Sequence, residues 1–131
     1  MARNLRKINQ YLEENKNRPF VWGDFDSCLF ACDIVVLCGG EDFAAAVRGK
    51  YKTELGAKRV LRKHFGSVEE AFSSLPEVPF NFVQRGDLVL FDTPRGKTMA
   101  IRWGEGFWAV GESGGLGVMI EVNKPLKAWR I

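Results

Sequence analysis

The chain has 131 residues, of which 46% are hydrophobic and 27% charged, and this size and balance are those of one globular domain. It contains one histidine and three cysteines, which excludes a zinc site built from several histidines. The net charge is +3 and the basic residues are spread along the sequence, so nucleic-acid binding is not supported. No stretch approaches the roughly 18 apolar residues of a membrane span, and we expect no secretion signal.

The three cysteines, Cys28, Cys32 and Cys38, fall within one short apolar stretch. An odd number of cysteines does not suit a secreted disulfide framework. We therefore expect the protein to be made and folded in a reducing cytoplasm.

The first half of the chain predicts helices. Leu5, Ile8 and Leu12 share one face of an amphipathic pattern over residues 4–16. A nearly all-apolar segment over residues 27–38 predicts a buried second helix, with Asp26 as its N-cap. The later signals, which include a capping box at residues 67–70, predict helices over residues 42–47, 53–65 and 67–76.

The second half predicts strands over residues 87–91, 99–103, 107–110, 116–122 and 126–131, most of them joined by short Gly and Pro turns. We find no linker, so the prediction is a single α+β domain over residues 1–131. Its helical part, about residues 1–76, would pack on an antiparallel sheet formed by about residues 77–131.

A small nucleophile at the start of a buried helix is the clearest chemical feature. Asp26, Ser27 and Cys28 are consecutive, and the first turn of a helix lowers a thiol pKa and can hold an oxyanion. Cysteine hydrolases use this arrangement.

The chain resembles the NlpC-type papain-like cysteine peptidases. The resemblance rests on three segments in the family's order: Trp22-Gly23-x-x-Asp26-Ser27-Cys28-Leu29-Phe30, Arg85-Gly86-Asp87-Leu88-Val89-Leu90-Phe91 and Ile101-Arg102-Trp103-Gly104. It implies a papain-like, NlpC-like fold in which an Asp-Cys pair starts the buried helix and the second strand carries a general-base histidine.

The chain is more closely similar to a phage and prophage domain family related to those peptidases. The shared elements are Pro19-Phe20-x-Trp22-Gly23, Asp26, Phe30-Ala31-x-Asp33, Gly40-x-Asp42, Arg48-Gly49-x-Tyr51, Gly86-Asp87 and Ala128-Trp129-Arg130. This resemblance implies a role in the tail tip or in tail assembly of a tailed phage. It also implies other tail proteins as partners, and a location in the host cytoplasm during assembly and then in the virion tail.

The sequence departs from the peptidase pattern at the catalytic positions. Ser27 stands at the nucleophile position, while Cys28 lies about 100° further round the helix. Thr98 stands at the general-base position and cannot accept a proton from a thiol at neutral pH. The third, orienting position would fall within residues 107–110, which hold no suitable polar side chain. We therefore expect a peptidase-like domain that has lost its catalytic set.

Two alternatives stay open. The first is an active peptidoglycan amidase or peptidase in which Cys28 works with His64, or in which Ser27 replaces a native cysteine; peptidoglycan would then be a partner. The second is an iron–sulfur or metal-binding assembly factor that uses Cys28, Cys32 and Cys38. Against these, we predict a surface role for His64 and a core role for the three cysteines, and we expect no cofactor.

Three further side-chain roles follow from position alone. Phe80 and Phe82 lie between Pro79 and Gly86 and are predicted to form an exposed patch that binds a partner. Asp87 is expected to anchor the start of a strand. Asp33, inside the second helix, is expected to pair with a basic residue.

Overall fold

The computed structural model describes residues 2–119 and 124–131. Helices precede strands, in the order α1 Leu5–Asn15, α2 Ser27–Leu37, α3 Glu54–Phe65, α4 Val68–Ala71, β1 Leu88–Thr93, β2 Gly96–Trp103, β3 Gly106–Val110, β4 Leu116–Met119 and β5 Lys124–Trp129. One 3₁₀ turn, Phe80–Phe82, lies between the two groups. The prediction of an α+β chain with an N-terminal helical part and a C-terminal antiparallel sheet is confirmed.

Each α-helix begins at a polar side chain that accepts a hydrogen bond from a backbone N–H of the first turn. Asn4, Asp26, Thr53 and Ser67 are these N-caps. The predicted caps at Asp26 and Ser67 are therefore confirmed, because each satisfies a donor that the helix itself leaves unpaired.

One helix prediction is wrong, and another places the end of its helix too late. Residues 43–49 form consecutive turns instead of a helix, since the Asp42 carboxylate accepts from the Ala44 N–H at 3.1 Å and is held by Arg48. The predicted helix over residues 67–76 ends at Ala71. After Ala71, backbone hydrogen bonds join residues three apart instead of four, as in the bond from the Leu75 N–H to the Phe72 carbonyl at 3.0 Å. The Ser73 hydroxyl also donates to a carbonyl of α4, and this contact competes with continuation of the helix.

The sheet has the strand order β4-β3-β2-β1-β5, and every neighbouring pair is antiparallel. The predicted hairpins are present, and β2 starts at Gly96 instead of residue 99 because the tight turn already pairs Thr93 with Gly96. The predicted strand over residues 116–122 is observed from Leu116 to Met119, and its last three residues lie outside the described residues. The final strand starts and ends two residues earlier than predicted.

The two edge strands of the sheet are joined by a short connection. Met119 ends β4 and Lys124 begins β5, so five peptide units of at most about 18 Å in total link them. The two strands at the edges of the sheet are thus close in sequence, although β4 pairs with β3 and β5 pairs with β1.

The sheet buries apolar side chains on both faces. One face packs on α2 in the main core and carries Leu88, Leu90, Met99, Ile101 and Trp103. The other face carries Val89, Phe91, Ala100, Ala109 and Ala128. Phe80 of the 3₁₀ turn covers this second face by stacking on Phe107, with ring centres 5.7 Å apart.

No helix among the described residues has the length and apolar character that crossing a membrane requires.

Candidate functional site

The site is built around the start of α2, the most apolar helix of the chain. Most of its side chains are fully buried between α1 and the sheet, so its first turn is fixed in place. Asp26 caps this turn by accepting from the Leu29 N–H at 3.0 Å. Ser27 and Cys28 follow directly as the first two residues of the helix.

The Asp26 carboxylate is fully engaged in structural contacts. It is 2% exposed, and besides Leu29 it accepts from the Gly23 N–H at 3.0 Å and from the Tyr51 hydroxyl at 2.7 Å. Burial, together with the charge of Asp26 and its hydrogen bond, raises the pKa of Tyr51 well above its usual range. Asp26 therefore serves as a structural acceptor that holds Gly23, Tyr51 and the first turn of α2 together.

Glycine is required beside this carboxylate. Gly23 has a φ of +81°, and a side chain there would collide with the Tyr51 carbonyl. The Gly23 carbonyl in turn accepts from the Gly49 N–H at 2.8 Å. The Trp22-Gly23 and Arg48-Gly49-x-Tyr51 elements are thus two sides of one packed junction at the start of α2.

A groove of about 610 Å³ opens at the first turn of α2, a volume within the range of ligand sites. The helical part contributes Phe20, Trp22, Ser27, Cys28, Leu61 and Arg62 to its walls, and the sheet contributes Thr93–Thr98, Val110, Gly117 and Val118. Most of the lining surface is apolar. The groove therefore opens beside Ser27 and Cys28 at the start of α2.

Ser27 and Thr98 both line this groove. The Thr98 hydroxyl contacts the Gly96 carbonyl at 3.3 Å. Strand alternation places Thr98 on the same sheet face as Ala100, whereas Met99 between them belongs to the core under α2. Among the described residues, no histidine, aspartate or glutamate side chain forms a hydrogen bond with the Ser27 hydroxyl. The hydroxyl therefore has no base to activate it.

The cysteines do not form a reactive or metal-binding group among the described residues. Cys28 lines the groove but is 6% exposed. The hydrogen bond to Cys28 and burial raise the pKa of the Cys32 thiol. Cys38 lies at the other end of α2, where its sulfur accepts from the Asn4 N–H at 3.4 Å. No three Cys, His, Asp or Glu side chains within residues 2–119 and 124–131 are placed to hold a metal ion.

His64 occupies the exposed last turn of α3, with its ring edge-on to Phe65 and the ring centres 4.6 Å apart. It does not line the groove. The structure therefore does not bring His64 and Cys28 together as a catalytic pair.

A second carboxylate cluster ties α2 to the following turns. Arg48 contacts Asp33 at 2.6 Å and Asp42 at 3.0 Å, and Tyr11 of α1 donates to Asp33 at 2.6 Å. The hydrogen bond from Arg48 lowers the pKa of Asp42. The expected pairing of Asp33 with a basic residue is confirmed, with Arg48 as the partner.

A third cluster joins the two ends of the chain. Asp87 is fully buried and accepts from the Gln84 N–H at 2.8 Å, from Arg3 at 3.1 Å and from Arg130 at 2.9 Å. The expected anchoring role of Asp87 is confirmed. The carboxylates of the three clusters, Asp26, Asp33, Asp42 and Asp87, all belong to the sequence elements that carried the phage-family resemblance.

Comparison with protein families identifies the family of the chain. A family described as "Domain of unknown function (DUF6950)" matches residues 3–131. The chain belongs to DUF6950. No curated protein matches it.

In this DUF6950 chain, Phe80 and Phe82 are 41% and 69% exposed, as predicted for an accessible patch. Arg3 donates to the Arg85 carbonyl and Arg130 donates to the Phe82 carbonyl, while Arg102 lies over the Phe107 ring on which Phe80 stacks. Arg85, Arg102 and Arg130 stand in the segments that carried the resemblances, whereas no signal in the sequence pointed to Arg3.

Proposed function

We propose that this DUF6950 protein is a structural or assembly component of a tailed-phage tail tip, built on a papain-like, NlpC-like fold without a complete catalytic set. The phage and tail part of the proposal rests on the sequence resemblance. The non-catalytic part is supported by one observation: the groove at the start of α2 is lined by Ser27 and Thr98, with no histidine among its described lining residues.

The three carboxylate clusters support the same view. In a working hydrolase, residues of the shared sequence elements would be needed for chemistry. Here Asp26, Asp33 and Asp87 are instead occupied by helix caps, ion pairs and contacts between distant segments. Side chains with these contacts hold the domain in a fixed shape. A domain of fixed shape with an exposed aromatic patch is suited to binding other proteins in an assembly.

Virion composition and genetic complementation test the proposal. The protein is expected in purified virions at a fixed copy number by quantitative mass spectrometry. Deletion of its gene is expected to give defective tails by electron microscopy, and Ser27→Ala and Cys28→Ala are expected to restore normal tails. Absence from virions together with normal tails in the deletion strain would overturn the structural role.

The peptidase alternative predicts that the groove hydrolyses peptidoglycan. Fragment release from purified peptidoglycan that is abolished by Cys28→Ser or His64→Ala would replace this proposal with an enzymatic one. Release should be measured with folded variants, because Cys28 is buried and its loss affects packing.

A further inference from the structure

The sheet has two edge strands, β4 and β5, and other segments of the chain bond to part of each edge. On β5, the Val78 N–H donates to the Ala128 carbonyl at 2.9 Å. On β4, the Leu116 N–H donates to the Lys16 carbonyl at 2.9 Å. The chain therefore covers part of each sheet edge with its own backbone.

The rest of the β5 edge is protected by its sequence. This strand contains Lys124, Pro125 and Lys127. Proline has no N–H to donate, and lysine on an edge strand disfavours pairing with a further strand. In contrast, β4 has the sequence Leu-Gly-Val-Met, without a proline or a charge. The sequence of β4 therefore does not prevent the addition of another strand.

The backbone of Val118 points away from the sheet. In an antiparallel pair of strands, hydrogen-bonded and non-hydrogen-bonded residue pairs alternate. Leu116 faces Val110 but donates its N–H to Lys16, so this pair is not hydrogen-bonded. Val118, two residues later, faces Trp108 in the same way, and its N–H and carbonyl therefore point away from β3. Neither group has a hydrogen-bond partner among the described residues. We call this backbone position the Val118 edge.

The Val118 edge borders the groove described above. The Val118 side chain is 59% exposed, and it lies on the same sheet face as Trp108 and Leu116, which pack against the main core. Gly117, Val118 and Met119 all line the groove. A strand added at this edge would place every second side chain on the face of the sheet where the groove opens.

The groove presents mainly apolar surface to such side chains. Most of the charged side chains on its walls are engaged in three ion pairs: Lys58–Glu54, Arg95–Glu112 and Lys97–Glu69. Asp26 is occupied as the cap of α2. Arg62 is the one remaining charged lining residue without such a contact in the described part of the chain. The balance of charge therefore favours a ligand with uncharged, apolar side chains.

We propose that the Val118 edge docks an extended, uncharged segment of a partner protein, which adds to the sheet antiparallel to β4 and places alternate apolar side chains over the groove. In strand addition, backbone hydrogen bonds provide affinity and alternate side chains provide specificity. The Lys16 carbonyl already bonds to the same edge, two residues earlier along β4. The inference rests on the proposed assembly function, to which it adds the chemistry of the partner. A second copy of this chain, paired through its own β4, is the competing occupant.

Amide hydrogen exchange measured by NMR tests the edge in the protein alone. The Val118 N–H should exchange rapidly because it has no acceptor, whereas the N–H groups of Gly117 and Met119, which point to β3, should be protected. Protection of Val118 equal to that of Gly117 and Met119 would mean that the chain itself covers this edge, and would overturn the proposal.

Three labelled peptides test the added strand by fluorescence anisotropy. In the first, a capped peptide, valine alternates with threonine. The second carries an N-methyl group on each valine, and the third carries one on each threonine. With the valines over the groove, the valine N–H groups face β4. The second peptide should therefore bind at least about tenfold more weakly than the third, the equivalent of about 1.4 kcal/mol. Equal affinity of the two methylated peptides would overturn the proposal.

Variants of Val118 locate the binding site. Val118→Pro removes the N–H that faces outwards and should weaken binding of the unmethylated peptide at least about tenfold. Val118→Thr keeps the N–H and the branched shape, and should bind as the wild type does. Circular dichroism and urea unfolding identify variants that are not folded. Val118→Lys is a second test, since it keeps the backbone and adds a charge that disfavours strand pairing. Wild-type affinity in both Val118→Pro and Val118→Lys would overturn the proposal.

Sedimentation equilibrium separates the competing occupant. A dimer that Val118→Pro dissociates, without binding of the peptide, would assign the edge to a second copy and overturn the proposal. The virion experiment fails or succeeds separately. A protein that is absent from virions but binds the peptide through the Val118 edge refutes the tail role alone. A protein that is present in virions but does not bind the peptide refutes the edge proposal alone.

Discussion

The hydroxyl of Tyr51 donates a 2.7 Å hydrogen bond to the buried carboxylate of Asp26, 25 positions earlier in the chain. This bond connects the turns after α2 to the first turn of α2 itself. The position of Ser27 in the groove therefore depends on a side chain that lies outside the motif containing Ser27.

Tyr51→Phe should lower the free energy of unfolding by about 1 to 3 kcal/mol, because a buried carboxylate loses a donor that no water replaces. Urea unfolding measures the loss. Tyr11→Phe is the control, since Asp33 keeps its contact with Arg48 and is partly exposed. If Tyr11→Phe lowered the free energy of unfolding as much as Tyr51→Phe does, the bond to Asp26 would not be more stabilising than the bond to Asp33, and the prediction would be wrong.

Alkaline pH should destabilise the protein. Burial and the neighbouring carboxylates raise the pKa values of both tyrosines of the chain, Tyr11 and Tyr51. In the unfolded chain these groups ionise near their usual pKa of 10.0. Since the folded pKa values are higher, the stability they contribute is complete below pH 10 and declines as the pH rises above it.

Tyrosinate absorbance near 295 nm measures this effect directly. Absorbance should stay low while the protein is folded and should rise together with the loss of the circular dichroism signal. A gradual rise near pH 10 in a protein that is still folded would show that the two hydroxyls are not held as described.

Asp87→Ala should cost about 2 to 4 kcal/mol, because three charge-assisted hydrogen bonds and one backbone bond are lost at a fully buried carboxylate. Glu112→Ala is the matched control: it removes the exposed 2.9 Å ion pair with Arg95 and should cost less than about 1 kcal/mol. Thermal and urea unfolding of both variants give the comparison. Similar losses would mean that the cluster at Asp87 adds little to stability.

Ser27→Cys should create a reactive thiol without hydrolytic activity. A cysteine in the first turn of α2 is favoured as a thiolate by the helix dipole, whereas Cys28 and Cys32 are buried. The variant should therefore react with iodoacetamide faster than the wild type by one equivalent. It should release no fragments from peptidoglycan, since no imidazole is among the described residues that line the groove. Release of fragments by Ser27→Cys would show that a base is present after all.

Local signals in the sequence predicted the helices and hairpins that depend on neighbouring residues. The N-caps Asp26 and Ser67 and the turn at residues 93–96 are of this kind, and the structure has all three. The helix predicted over residues 42–47 failed because the Asp42 side chain bonds its own turn and Arg48. The helix propensity of that segment does not predict which carboxylates Arg48 will contact.

The candidate sites divide in the same way. The placement of Ser27 and Cys28 in the first turn of α2 could be predicted from the Asp26-Ser27-Cys28 sequence, because a helix start fixes the positions of consecutive residues. The cluster at Asp87 could not, since Arg3 and Arg130 come from opposite ends of the chain and meet only at this carboxylate in the folded domain. Counting basic residues along the sequence cannot predict a cluster of this kind.

The shared contact of Arg3 and Arg130 with Asp87 has a mechanical consequence. The two terminal stretches leave the surface at one point, so a force that pulls them apart acts first across these arginine–carboxylate contacts. Once they break, the antiparallel pairing of β5 with β1 is the next contact that the force reaches. The domain should therefore yield first at its two ends, before α2 and the strands at its centre are disturbed.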